Sequence, residues 1–194
     1  MWQEQINSDV KSFKQIGALK GHDLTVVQMK FSNNSKYLLS VSRDRSWKLY
    51  RHNLQADGST NEKLYDLVRG IGTKNEYHTR IVWSCDWSHD DKYFITTSRD
   101  KRACVWYGSI EAQENETNEM YSKPIVHKNE KYLELQDSIT ACSFAPDFTT
   151  EKKYLIAFGL DNGKIELYNW TVDGGFSKYA SIEDRYRFET EFSQ

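Results

Sequence analysis

Short runs of alternating apolar and polar residues recur along the chain, separated by clusters of Ser, Asn, Asp and Gly. Residues 26–31 carry Val27, Met29 and Phe31 at every second position, the period of a β-strand. Residues 82–87 repeat the pattern with Trp83, Cys85 and Trp87, and residues 139–144 with Thr140, Cys142 and Phe144. In that alternation Val26, Val82 and Ile139 fall on the opposite side. Both faces of each strand are then apolar, which predicts a sheet covered on both sides. A polar turn follows, Ser32-Asn33-Asn34-Ser35 in one case and Ser88-His89-Asp90-Asp91 in the next. Second strands are predicted over residues 37–41, 93–97 and 154–158, and third strands over 46–50, 102–106 and 164–168. Fourth strands fall near 64–68 and 132–135. An outer strand over 13–19 precedes the first unit, and Asp173-Gly174-Gly175 forms a hairpin turn.

These runs belong to a repeat. LSVSRDRSWKLY (residues 39–50) returns as ITTSRDKRACVW (residues 95–106), 56 positions later. His22 then aligns with His78, Phe31 with Trp87, Tyr37 with Tyr93, Arg43 with Arg99 and Asp44 with Asp100. A weaker third copy spans about residues 137–169. It lacks the His and places Ala157 at the hydroxyl position of the other two. A period of this length marks a chain of supersecondary units, each burying its face against the next. The expected organisation is all-β: residues 1–19 ending a preceding unit, 20–70 and 75–107 as two full units, and 131–180 as a degenerate third. Residues 108–130 form an acidic connection, and 181–194 a tail.

Composition narrows the class. The chain has 194 residues, 38% hydrophobic and 14% aromatic, enough for one globular domain or a piece of a larger one. A net charge of −2 gives no global field favouring nucleic acid. Cys85, Cys104 and Cys142 are odd in number and scattered, which fits reduced core thiols in the cytoplasm or nucleus. The start of the chain has no apolar core of a signal peptide. His22, His52, His78, His89 and His127 lack ligand spacing to a Cys or a second His, so neither a metal nor a cofactor is expected. Trp47, Trp83 and Trp87 are expected in the core or between units.

Gly21-His22, an Asp-containing turn and a strand closing on an aromatic resemble WD repeats, the blade units of β-propellers. LTVVQMKFS (24–32) with KYLLSVSRDRSWKLY (36–50), and RIVWSCDWS (80–88) with KYFITTSRDK (92–101), are similar to late blades in the second propeller of the WD-repeat scaffold subunits of Elongator. The resemblance covers roughly residues 14–180. It implies a non-catalytic scaffold within an assembly that modifies the wobble uridine of transfer RNA. Its partners would be the large scaffold subunit and the catalytic subunit, with a weak transfer RNA contact in addition. Members of that family are longer and carry two complete propellers. Three four-stranded antiparallel blades leave a ring unclosed, so the expected architecture is a propeller fragment. The alternatives are a WD-repeat adaptor of another complex, or an RNA-contacting surface.

Two groups of residues are candidates for chemistry. His22, Ser40, Asp44 and Tyr50, and their counterparts His78, Thr96, Asp100 and Trp106, have the composition of a nucleophilic site. The resemblance implies instead a buried hydrogen-bond relay, Asp to His to hydroxyl to indole, and a structural set is the one that repeats. Tyr50 stands where the second copy has the indole, which implies a looser relay. No catalytic residue is assigned. The second group is basic: Arg43 and Arg99 before the turn aspartates, with Arg45, Lys48, Lys101 and Arg102 after them. In WD propellers the residue before that Asp faces the surface where partners dock. A protein partner is favoured over RNA because no array of stacking aromatics accompanies the patch.

Overall fold

The computed structural model describes residues 2–7, 10–15, 18–54, 60–108, 123–125 and 130–182. They form strands and turns: β1 (Trp2–Asn7), β2 (Val10–Gln15), β3 (Val26–Phe31), β4 (Tyr37–Ser42), β5 (Trp47–Leu54), β6 (Thr60–Gly70), β7 (Val82–Trp87), β8 (Tyr93–Ser98), β9 (Arg102–Tyr107), β10 (Leu133–Glu134), β11 (Ile139–Phe148), β12 (Tyr154–Leu160), β13 (Ile165–Thr171) and β14 (Gly175–Ile182). β1 and β2 pair with each other, so the strand expected over 13–19 begins and ends earlier. The other twelve make three four-stranded sheets in the orders β3-β4-β5-β6, β10-β9-β8-β7 and β11-β12-β13-β14. All pairings are antiparallel. The acidic stretch 111–119 and the tail beyond Ile182 lie outside the described residues.

β3, β7 and β11 are the inner strands, and each sheet stacks on the next. Tyr37, Leu39, Val41, Trp47 and Leu49 of the first sheet meet Val82, Cys85, Trp87, Phe94 and Trp106 of the second. Trp47 is fully buried at this joint, with ring centroids 4.9 Å from Phe94 and 5.0 Å from Trp106. Edge-on aromatic pairs of this kind add about 0.5–1.5 kcal/mol to the area they bury. The second joint packs Tyr93, Ile95 and Val105 against Ile139, Phe144, Ile156, Phe158 and Trp170. Among the described residues the three sheets do not close a ring, and Leu24, Met29 and Phe31 on the first sheet remain exposed.

The inner strands depart from simple alternation. Val82 pairs with Ser98 and Ser84 with Thr97, leaving Trp83 as the extra residue of a β-bulge. Val27 and Thr140 occupy the same place in β3 and β11. A bulge adds one residue and so exchanges the faces on either side of it. Val82 therefore joins Cys85 and Trp87 in one core, and Ile139 joins Phe144, contrary to the opposite faces expected from alternation. Trp83 belongs to neither core.

Candidate functional site

In the first sheet, His22 Nδ1 lies 3.0 Å from Asp44 Oδ2 and 3.1 Å from Ser46 Oγ, while Nε2 lies 2.7 Å from Ser40 Oγ. A proton on Nδ1 donated to the carboxylate leaves Nε2 to accept from the Ser40 hydroxyl. The main-chain amides of Asp23 and Ser46 also donate to Asp44, at 3.0 and 2.9 Å. Burial pushes the Asp44 carboxyl up, but the Ser46 hydroxyl, the Asp23 amide and His22 together outweigh it and hold it below the ordinary carboxylate value. Tyr50 donates its hydroxyl to Lys20 O at 3.3 Å, so this tyrosine ties β5 to the strand entry, where the second sheet has an indole donating to the relay hydroxyl. Gly21 is required here: a Cβ would stand 3.1 Å from the Tyr50 hydroxyl, and its φ is 149°.

The second sheet repeats the arrangement with one change. Trp106 Nε1 donates to Thr96 Oγ1 at 2.8 Å, and His78 Nε2 lies 2.8 Å from the same oxygen. Asp100 accepts from the amides of Thr79 at 2.6 Å and Arg102 at 3.0 Å. Its Oδ2 stands 3.7 Å from His78 Nδ1, an ion-pair separation rather than a hydrogen bond. Burial again pushes the carboxyl up, and His78 with the two amides brings it below the ordinary value. His78 and Thr96 are both fully buried. A hydroxyl held between an imidazole and an indole, with no exposed surface, has no route to a substrate.

The third sheet carries no relay. Cys142 pairs with Phe158 as Cys85 pairs with Thr96 and Met29 with Ser40. The hydroxyl position is thus Phe158, and not Ala157 as the sequence spacing suggested. The extra residues between Phe144 and Phe148 shift the register by one. Asp161 N donates to Ser138 O as Arg99 N does to Ile81 O, which puts Leu135 at the histidine position. Leu135 and Phe158 are buried in one apolar cluster where the other sheets have His and hydroxyl. Nearby, Glu166 accepts from Lys178 Nζ at 2.8 Å and from the Tyr168 hydroxyl at 3.2 Å. Burial and that carboxylate push Tyr168 up to about 12.

The basic residues fall into two groups. Lys101 Nζ donates to Gln136 O at 2.8 Å. Arg102 donates to Glu76 O at 3.2 Å and covers the Tyr132 ring at 4.1 Å. Lys48 Nζ donates to Ile71 O at 3.2 Å. These three secure their own loops. Arg43, Arg45 and Arg99 are exposed. Arg43 N donates to Thr25 O and Arg99 N to Ile81 O, both at 3.0 Å, so the two turns present their arginines identically from adjacent sheets. Asp161 takes that place in the third sheet, where the basic patch ends.

Sequence reasoning missed the polar clasps between sheets. Asp91 Oδ1 accepts from Asn33 N at 2.7 Å and Asn33 Nδ2 at 2.9 Å, and Oδ2 accepts from Asn34 N at 2.8 Å. Gln28 Oε1 accepts from Cys85 N at 2.8 Å, and Ser84 Oγ, its repeat partner, from Cys142 N at 3.2 Å. Asp86 accepts from Phe144 N at 2.9 Å, and Arg69 donates to Tyr107 O. The one available signal was the coincidence of polar residues at Gln28 and Ser84 within apolar strands. Among the described residues no cluster of His, Cys, Asp and Glu could hold a metal ion. Cys85 and Cys104 are buried, and burial pushes both thiols well up, away from the reactive thiolate.

Repeated four-stranded sheets stacked through their inner strands, with an Asp–His–hydroxyl–aromatic relay in two of them, define the WD-repeat class. The family described as WD domain, G-beta repeat matches residues 13–51 and 73–107. These two stretches of the chain are thus WD repeats. Two solved WD-repeat structures, of U3-55K and of the RRP9 WD40 repeats, superpose with TM-scores of 0.57 and 0.56 over 84% of this chain. Identity to each is 14%, and the match covers 41% and 40% of those chains, so the likeness is one of fold. In sequence, the chain is similar to Elongator complex protein 2. It is 42% identical over 162 residues to that of Danio rerio, covering 82% of this chain and 19% of the relative. It is 36% identical over 170 residues to that of Saccharomyces cerevisiae, covering 86% and 19%. The chain thus spans less than a fifth of the curated relatives it matches.

Proposed function

We propose that this chain is a non-catalytic scaffold segment of an Elongator-type assembly, and that Arg43 and Arg99 contact an acidic surface of a neighbouring subunit. The observation that carries this reading is the identical presentation of two exposed arginines by the turns of adjacent sheets. The two arginine side chains make no hydrogen bond or ion pair among the described residues, and the turns are held by main-chain bonds together with the Ser42, Asp44, Ser98 and Asp100 side chains. An exposed guanidinium can meet a carboxylate through two parallel hydrogen bonds, which gives orientation as well as attraction. The similarity to Elongator complex protein 2 supports interaction within a multiprotein complex; the partners we propose are its large scaffold subunit and its catalytic subunit, and the location the cytoplasm together with the nucleus. Support of wobble-uridine modification follows through the assembly rather than through chemistry on this chain.

The test is capture of the purified large scaffold and catalytic subunits by the native protein and by an Arg43→Glu, Arg99→Glu double variant. Loss of capture with an unchanged melting profile is expected. Undiminished capture would overturn the reading. A salt-dependent shift with transfer RNA alone, abolished in the same variant, would favour the RNA-contacting alternative.

A further inference from the structure

The two ends of β3 carry different chemistry. Just before its start, Thr25 O holds the Arg43 turn; at its far end, Phe31 opens into a cavity of about 620 Å³. Phe31, Tyr65, His52, Asn34, Lys36 and Arg51 line that cavity. The Tyr65 ring is buried and stacks on His52, with centroids 4.6 Å apart and planes 18° from parallel. Phe31 stands 6.4 Å from Tyr65, tilted by 50°, and is 55% exposed. Three rings from three strands thus gather at one opening, which no spacing along the chain announces.

The polar groups around the rings are cations and an amide. Lys36 and Arg51 are exposed, and the Arg51 guanidinium makes no hydrogen bond or ion pair among the described residues. Asn34 Oδ1 accepts from Ser32 Oγ at 2.8 Å and from Lys36 N at 2.9 Å, which leaves its amide N–H groups as donors. Among the described residues no carboxylate lines the cavity. The second sheet shows that the blade does not require this arrangement. Gly108 N donates to Lys92 O at 2.7 Å as His52 N does to Lys36 O at 2.8 Å, so Gly108 takes the place of His52. A Cβ on Gly108 would stand 2.7 Å from the Trp87 side chain and 2.5 Å from Asp91 O, so that corner is closed. Asp90 accepts from Ser88 Oγ as Asn34 does from Ser32 Oγ, which puts a carboxylate where the first sheet has an amide. Of these two sheets, only the first combines open rings with cations and no acid.

We infer that this cavity binds a nucleoside phosphate, either free or as an unpaired nucleotide of RNA. The base stacks on Phe31, the Asn34 amide donates to its edge, and the phosphate meets Lys36 and Arg51. A cavity of several hundred cubic ångströms, walled by rings and furnished with few polar groups, suits a ligand of that size. The site does not depend on Arg43 and Arg99, which belong to the other end of the inner strands.

The probes are adenosine monophosphate, adenosine and inorganic phosphate, read by calorimetry, and a short fluorescent oligoadenylate RNA, read by polarisation. They are applied to the native protein, Phe31→Ala, Arg51→Gln and the Arg43→Glu, Arg99→Glu variant. Phe31 and Arg51 are both exposed, so their substitution preserves the fold, which unchanged melting profiles check. The native protein is expected to bind the monophosphate about tenfold or more tighter than adenosine or phosphate alone. Phe31→Ala should weaken the monophosphate by about tenfold, and Arg51→Gln should bring it towards the level of adenosine. The Arg43→Glu, Arg99→Glu variant should bind it as the native protein does. RNA that binds about tenfold or more tighter than the monophosphate, and loses affinity in Phe31→Ala and Arg51→Gln, identifies the unpaired nucleotide as the ligand; equal affinity identifies the free one. Absence of binding by both ligands would overturn the inference, as would binding that survives in Phe31→Ala. If RNA affinity falls in the Arg43→Glu, Arg99→Glu variant and in neither of the others, the RNA contact belongs to the turns and the inference fails. If Phe31→Ala changes the association state of the protein and leaves its ligand affinity unchanged, the rings seat another sheet and the inference is again overturned.

Discussion

His78 Nδ1 stands 3.7 Å from Asp100 Oδ2, whereas the same pair in the first sheet, His22 and Asp44, closes to 3.0 Å. Burial pushes both carboxyls up, yet both sit below their ordinary value: His78, followed by two main-chain amides, lowers Asp100, and the Ser46 hydroxyl, the Asp23 amide and His22 lower Asp44. Asp90, which accepts from Ser88 and Tyr154, is lowered as well, again against the push of burial.

These depressions fix the sign of the acid response. A carboxyl lowered by folding contributes stability above its unfolded pKa of about 4, and that contribution is lost as pH falls through the folded value. Thermal melts are therefore expected to decline as pH drops below about 4. An Asp44→Asn, Asp100→Asn double variant should be less stable at neutral pH and show a shallower acid limb. An acid limb as steep as that of the native protein would contradict the assignment.

Removing the second relay tests its structural role directly. Asp100→Ala frees two amides and strands a buried imidazole, at a cost of about 2–4 kcal/mol in denaturant unfolding. Trp106→Phe deletes the donor to Thr96 and leaves a void beside Trp47 and Tyr77, so it too should destabilise, by about 1–3 kcal/mol. Any hydrolytic turnover that disappears in Asp100→Ala would instead point to catalysis.

The clasp between Asn33 and Asp91 should behave as a unit. Asp91→Ala leaves two main-chain amides and a side-chain amide without their acceptor, with an expected loss of about 1–3 kcal/mol. Because the clasp joins two sheets, a double-mutant cycle with Asn33→Ala should show a coupling above about 0.5 kcal/mol. Simple additivity would show that water replaces the carboxylate.

Backbone conformation separates the three Asp-containing turns. Arg45 and Lys101 have φ of 70° and 73°, and the equivalent residue in the third sheet is Gly163 at 84°. A Cβ on Gly163 would meet nothing within 4 Å, so Gly163→Ala isolates the conformational cost, about 1 kcal/mol of destabilisation by chemical melts. Lys101→Gly relieves that strain while loosening the unfolded chain, and should fall within about 1 kcal/mol of neutral.

The repeat made the architecture legible. A 56-residue shift superposes His22 on His78 and Asp44 on Asp100, and both sets assemble in space as the pattern required. The second and third strands were readable because each begins at a Tyr or at an Asp-containing turn. The inner strands were not: a one-residue bulge is invisible to alternation, and it turned Val82 inward and left Trp83 outside the core. The third relay was misplaced for a similar reason. A register shift of one put Phe158, rather than Ala157, opposite Cys142.

The residues alone determined the strand order within each unit, the polar relay and the position of the basic turns, because these depend on local spacing. Only the packed sheets decided which cations are occupied and which are exposed. Lys101 and Arg102 differ from Arg99 by the carbonyls that reach them across loops, and no local spacing encodes that distance. The clasps of Asp91 and Asp86 came from the same source: they join residues more than fifty positions apart, which only the stacking of one sheet on the next brings within hydrogen-bonding reach.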